Sequence, residues 1–114
     1  MVGGYAGDAI TSGDANCSVG YLSSSSITTG ASNTSVGTST LHNLTTGNYN
    51  VGIGNSIGVS AVDQEYGIGL GYSVTVAAND FSFGKASNVV TNDFDADANW
   101  SRSSDERLKK NITN

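Results

Sequence analysis

A repeat of 17 residues organises the apolar positions along most of the chain. Glycine recurs at this spacing, and an apolar residue precedes each glycine. The glycines are Gly3, Gly20, Gly37, Gly54 and Gly71, and the residues before them are Val2, Val19, Val36, Ile53 and Leu70. The last four of these apolar residues are each preceded, two positions earlier, by another residue of a period-2 alternation. These earlier residues are Cys17, Thr34, Val51 and Ile68. The pattern predicts one short strand per repeat, ending at glycine, with these apolar columns on its buried face.

A second apolar column follows each glycine by seven residues and predicts a second short strand in each repeat. Its members are Ile10, Ile27, Leu44, Ala61 and Ala78, with Ile57 and Val74 between the later ones. Polar residues keep the same register, with Asn16, Asn33 and Asn50 in one column and Thr11, Thr28 and Thr45 in another. A coil of this length cannot bury its apolar columns alone, but stacked coils share a continuous core. The sequence therefore predicts an all-β chain, a parallel β-solenoid over residues 1–88.

Towards the end of the repeats the spacing shortens to 13 residues, at Gly84. Phe81 and Phe83 repeat the strand ending there and are expected to cap or widen the core. Only 37% of the 114 residues are apolar, so the core is thin and association of several chains is expected. Candidate contacts between chains are the Tyr49/Tyr66 column and the tyrosines that follow glycine, Tyr21 and Tyr72.

The charge pattern excludes two classes of partner. Residues 1–84 carry five acidic side chains and no Lys or Arg, so we expect binding neither to nucleic acid nor to an anionic membrane surface. No run approaches 18 apolar residues, so insertion into a membrane is not expected either. Cys17 continues an apolar column and is predicted to be a buried thiol, and His42 is predicted to lie in a turn. The carboxylates of Asp93, Asp95 and Asp97 alternate as in a calcium loop, but the glycine and glutamate of an EF-hand are missing. We therefore expect an acidic connector, no metal and no cofactor.

Two segments, NTSVGTS at 33–39 and YNVGIGNS at 49–56, resemble repeats of known fibrous proteins. They are similar to the head repeats of trimeric autotransporter adhesins and to collar-like segments of bacteriophage tail fibres. The resemblance implies a left-handed parallel β-roll, with three rolls packed into a homotrimer.

The segment SDERLKK at 104–110 resembles the opening of the intramolecular chaperone domain (peptidase S74) of phage tailspikes and endosialidases. The resemblance implies that Ser104 and Lys109 form a self-cleaving dyad, which cuts at or immediately beside the Ser104–Asp105 bond once the complete chaperone domain is present. The same residues also have the pattern of a helix start, because Ser103 and Glu106 form a capping box. Both interpretations can hold together.

The sequence thus divides into a β-solenoid (1–88), an extended connector (89–103) and the truncated start of a chaperone domain with a short helix (104–114). We expect a structural and receptor-binding part of a trimeric phage tail fibre or tailspike, located in the virion, that is not an enzyme. Its receptor would be a bacterial surface glycan or protein. The alternatives are the head of a bacterial adhesin at the cell surface and the non-catalytic stalk of a glycan-depolymerising tailspike.

Overall fold

The structure, a computed structural model, describes residues 1–95. This part of the chain is all-β, with eight strands and no helix. The strands are β1 (Cys17–Val19), β2 (Thr34–Thr38), β3 (Val51–Asn55), β4 (Gly58–Val59), β5 (Ile68–Tyr72), β6 (Thr75–Val76), β7 (Asp80–Lys85) and β8 (Asn88–Asp93).

The main sheet has six strands in the order β1-β2-β3-β5-β7-β8, and its first five strands are parallel. Cys17 pairs with Thr34, and the same register carries Thr34 to Val51 and Val51 to Ile68. Ile68 then pairs with Phe81, 13 residues later. The predicted coil length and its shortening are both confirmed, and the chain forms a β-solenoid of about 4 turns.

The glycine that recurs near the end of each main strand is required for two independent reasons. Gly37 and Gly54 have φ angles of 124° and 132°, a region that L-residues with a side chain rarely adopt. A Cβ placed at Gly37 would also collide with the backbone carbonyl of Gly54 in the next coil. The repeated glycine therefore sets how closely successive coils stack.

The predicted direction of the strand faces is wrong. Ser18 and Ser35 are almost fully buried, whereas Val19 and Ile53, which belong to a column predicted to be buried, are 37% and 42% exposed. Small residues point inward because the opposite wall of the coil is close: a Cβ at Gly52 would lie 2.8 Å from Leu41 Cγ. The period of the alternation was predicted correctly, but the apolar columns before glycine lie on the outer face.

The core changes character along the solenoid. Around β2, the buried side chains of Ser23, Ser35 and Thr40 form a hydrogen-bonded cluster, with Ser35 Oγ 2.6 Å from Thr40 Oγ1. Around β3 and β5, the inward strand positions are Gly52 and Gly69, and apolar side chains fill the space. The fully buried apolar residues include Ile27, Leu41, Leu44, Ile57, Val74 and Val76.

The second predicted strand is present only in the later coils, where β4 and β6 form a two-stranded parallel sheet. Ile27 and Leu44 of the second apolar column are buried as expected, but Ala61 and Ala78 are exposed. Val59 and Val76 occupy the core in their place because β4 and β6 present residues two positions earlier. The prediction of a second strand is therefore confirmed for two coils only.

Asn43 completes the edge of this small sheet. Its side-chain amide donates to the Val59 carbonyl at 2.8 Å and accepts from the Val59 N–H at 2.9 Å. These are the two hydrogen bonds that a neighbouring strand residue would make. The side chain therefore substitutes for a strand where the preceding coil has a turn.

The predicted asparagine column is an internal ladder of hydrogen bonds. Asn16 Oδ1 accepts from the Asn33 N–H at 2.9 Å, and Asn33 Oδ1 accepts from the Asn50 N–H at 2.8 Å. The ladder ends at Gly67, where a Cβ would lie only 2.5 Å from the Gln64 side-chain nitrogen. Gln64 donates to Asn50 Oδ1 at 3.3 Å and so takes the place of the missing asparagine.

An antiparallel hairpin ends the main sheet. Residues 89–93, the start of the segment expected to be a connector, lie in β8 and pair with β7. Phe81 lies opposite Asn92, and Asp80 lies opposite Asp93. Residues 96–103 of that segment and the whole of 104–114 lie outside the described residues.

Candidate functional site

The outer face of the main sheet carries a continuous band of apolar side chains, which we call the apolar strip. Two columns form it, and both run through five strands in the register of the sheet. One column contains Cys17, Thr34, Val51, Ile68 and Phe81, and the other contains Val19, Val36, Ile53, Leu70 and Phe83. Val90 of β8, opposite Phe83, extends the strip and is 53% exposed.

The strip contains no charged side chain. At about 4.8 Å between neighbouring strands, six strands give it a length of about 24 Å. Its residues are exposed or half-buried, so water contacts a contiguous apolar surface along the whole sheet. A contiguous exposed apolar surface marks a site of protein association more often than an ordinary polar surface does.

Cys17 lies at the N-terminal end of the strip and is exposed, so the prediction of a buried thiol is wrong for the described chain. The error follows from the reversed faces, because Cys17 shares the outward parity of Val19. Phe81 and Phe83 likewise lie on the outer columns, with ring centroids 5.2 Å apart, and do not fill the core.

A second exposed feature lies at the corner that precedes each main strand. Tyr49 and Tyr66 stack there with ring centroids 5.2 Å apart and planes 5° from parallel. Both have a left-handed backbone, with φ angles of 61° and 62°. Such a conformation costs of the order of 1–3 kcal/mol for a bulky residue, and an aromatic pair returns about 0.5–1.5 kcal/mol. The stacking energy alone is therefore too small to explain why tyrosine occupies both positions.

The other coils place smaller residues at this corner, all with positive φ: Ala15, Ser32 and Asn79. One hydrogen-bond pattern unites three of the corners, since Ser32 N–H donates to Asp14 O at 2.9 Å and Tyr49 N–H to Ala31 O at 3.2 Å. Tyr66 N–H donates to Asn48 O at 3.4 Å in the same way. The corners are therefore structurally equivalent, and only their side chains differ.

The acidic residues at the C-terminal end of the sheet lie close together. Asp93 Oδ1 accepts from the Asp95 N–H at 2.8 Å, and Asn79 Nδ2 donates to Asp95 Oδ2 at 3.0 Å. The pKa of Asp80 is raised, first by loss of solvation and then by repulsion from Asp93 and Asp95. Within residues 1–95, no three potential metal ligands of the His, Cys, Asp and Glu type come together.

The other predicted chemical groups are placed as follows. His42 is exposed in a turn, as expected, with Nδ1 2.8 Å from the carbonyl oxygen of Ser39. Ser104, Asp105 and Lys109 lie outside the described residues. Over the range that is described, no helix has the length and apolar character needed to cross a membrane.

Sequence reasoning missed the apolar strip, although a signal for it is present. In the segments VGIG and IGLG, glycine alternates with large apolar residues. Glycine inside a strand indicates close approach of another chain segment on that face. Gly52 and Gly69 therefore mark the inner face, which leaves the valine, isoleucine and leucine columns outside.

Comparisons with protein-family models, with curated proteins and with solved structures find no match to this chain.

Proposed function

We propose that this chain is a structural and receptor-binding segment of a homotrimeric bacteriophage tail fibre or tailspike, next to a self-cleaving intramolecular chaperone. Its place would be the virion. The solenoid supplies length and rigidity, and the segment itself performs no catalysis. Cleavage beside Ser104, with Lys109 as the base, would occur only in a chain that carries the complete chaperone domain.

The observation that carries the proposal is the uncharged apolar strip on one face of the β-solenoid. Each coil presents the same two outward positions, so three parallel chains can bring like coils together about a common axis. Such a three-fold arrangement is a closed symmetry, and it covers the strip of every chain. A fibre requires this property, because its surface must stay soluble along its whole length.

The resemblance of SDERLKK to a chaperone opening supports the phage fibre over other trimeric solenoids. In that family the chaperone follows a trimeric fibre segment, and here the motif follows a solenoid in the same order. The acidic charge of the solenoid suits a surface that remains dispersed in water.

Light scattering of the purified chain tests the assembly. We expect a mass three times that of the 11.6 kDa chain. Ile53→Asp places a charge in the middle of the strip and should give a folded monomer, because Ile53 is already 42% exposed in the single chain. Val62→Asp is the matched control, since Val62 is 50% exposed and lies outside the strip, and it should remain trimeric.

A wild-type chain that is monomeric on dilution and keeps its β-structure would overturn the proposed trimer. Equal loss of assembly in Ile53→Asp and Val62→Asp would show that the strip is not the interface. Circular dichroism on each sample separates loss of assembly from loss of fold.

A further inference from the structure

The tyrosine corner, formed by Tyr49 and Tyr66, keeps much of its aromatic surface accessible, because the two side chains are 52% and 50% exposed. Each ring uses one face in the stack. Tyr66 lies one coil after Tyr49, so the stack covers Tyr49 on that side, and Tyr49 remains 52% exposed. In the preceding coil the equivalent corner holds Ser32, and in the coil before that it holds Ala15. Because two coil spacings amount to about 10 Å, the small corners leave room beside Tyr49 for a ring of similar thickness.

Polar residues occupy the neighbouring corners of the solenoid. Ser32 and Asp14 are exposed and adjacent, since the Ser32 N–H donates to the Asp14 carbonyl at 2.9 Å. On the other side of the corner, Asn48 Nδ2 donates to Glu65 Oε1 at 3.2 Å, which holds that carboxylate in place. An aromatic face with hydroxyl and carboxylate groups at its rim suits a ligand that is apolar on one face and rich in hydroxyls at its edge.

The negative charge of the surrounding coils restricts the chemical class of the ligand further. Residues 1–84 contain no Lys or Arg, and the charged groups of the nearest coils are Asp8, Asp14, Asp63 and Glu65. An anionic ligand would meet only negative charge there, whereas carboxylates accept hydrogen bonds readily from sugar hydroxyls. The corner therefore discriminates against sialylated, phosphorylated or uronic-acid glycans.

We propose that the tyrosine corner binds a neutral pyranose glycan, with a sugar ring stacked on the open face of Tyr49 and its hydroxyls bonded to Ser32 and Asp14. The partially positive C–H groups of a pyranose face complement the negative face of the phenol ring. This inference rests on the proposed function, in which the segment meets a bacterial surface, and it names the class of receptor.

The test is a titration of the isotopically labelled chain with lactose, cellobiose and chitobiose, followed by amide shifts and by saturation transfer to the sugar. We expect saturable shifts at Ser32 and Tyr49 and transfer to the C–H protons of one sugar face, with dissociation constants of the order of 1 mM. Sialyllactose, the charged counterpart of lactose, should bind at least about ten-fold more weakly.

Two variants and one control locate the ligand. Tyr49→Ser gives the corner the residue found one coil earlier and should weaken binding at least about ten-fold. Ser32→Tyr keeps both tyrosines but covers the open face, and it should abolish the shifts. Tyr5→Ser is the control, because Tyr5 is also exposed with a φ of 59° but pairs edge-on with Tyr21, and it should bind as the wild type does.

The absence of saturable shifts with all three neutral sugars would overturn the inference, as would equal binding by Ser32→Tyr and the wild type. Loss of trimer mass in Tyr49→Ser would also overturn it, because the corner would then be a contact between chains. Light scattering on the same samples distinguishes the two proposals. A trimer that does not bind these sugars would contradict only the glycan site. A monomer that binds them would contradict only the proposed trimer.

Discussion

In the coil of Ser35, the inward strand position carries a hydroxyl that bonds to Thr40, whereas one coil later the same position is Gly52. The side chains of the opposite wall become larger where the strand residue becomes smaller. The coil of Ser35 has Ser24 and Thr40 there, and the equivalent positions one coil later are Leu41 and Ile57. The comparison teaches that the narrow interior can be filled by hydroxyl side chains in one coil and by apolar side chains in the next, although the Ser24 hydroxyl has no hydrogen-bond partner in this structure.

The largest expected effect tests which face of the strand lies inside. Ser35→Asp should prevent folding, because an unpaired carboxylate in a fully buried position costs several kcal/mol. Val36→Asp lies on the outer face, and the single chain should remain folded. Urea unfolding followed by circular dichroism measures both variants. A folded Ser35→Asp beside an unfolded Val36→Asp would restore the face assignment that the sequence pattern suggested.

A second experiment tests whether the two walls exchange volume. Gly52→Ser alone should lose about 2–4 kcal/mol of stability, since its Cβ overlaps the Leu41 side chain and its hydroxyl has no partner among apolar neighbours. Leu41→Ser alone should cost about 2–5 kcal/mol through the cavity it leaves.

The double variant, Leu41→Ser with Gly52→Ser, reproduces the Ser24/Ser35 arrangement of the preceding coil. Its loss of stability should be smaller than the sum of the two single losses by about 0.5–3 kcal/mol, as expected for residues in contact. Additive losses in the double-mutant cycle would mean that these positions do not share one packing space.

The smallest expected effect compares one substitution in adjacent coils. Ser35→Ala should destabilise the fold by about 1–3 kcal/mol, because it removes a partner from the Ser23 and Thr40 hydroxyls. Ser18→Ala should stabilise it by about 1 kcal/mol, since the buried Ser18 hydroxyl has no hydrogen-bond partner. The sign difference between the two alanine variants is measured by thermal or urea unfolding, and equal signs would contradict the contrast.

The repeat made much of this fold predictable. A register of 17 residues forces equivalent positions into columns, so the parallel pairing, the glycine column and the Asn16–Asn33–Asn50 ladder follow from spacing alone. Such columns depend only on the period. The parallel direction of the strands in successive coils can likewise be predicted without knowing which face of each strand lies inside.

The direction of the strand faces depends on residues far along the chain and could not be taken from the strand itself. Val51 and Ile53 are large and apolar, and a half-buried strand normally turns such residues inward. Here Leu41 and Ile57 already fill the interior beside Gly52, so no space remains for them. The left-handed backbone of Tyr49 and the pairing of Asn43 with Val59 are equally non-local, because each depends on the neighbouring coil.

The end of the asparagine ladder has a consequence for how such a chain can change in length. An extra 17-residue unit inserted between Asn33 and Asn50 would find a donor on one side and an acceptor on the other, and would lengthen the solenoid by about 4.8 Å. After Gly67 the same insertion would meet the Gln64 side chain in place of an asparagine and would break the series. We therefore expect an inserted coil to be accommodated on the N-terminal side of Gln64 and to destabilise the solenoid when it is placed after Gly67.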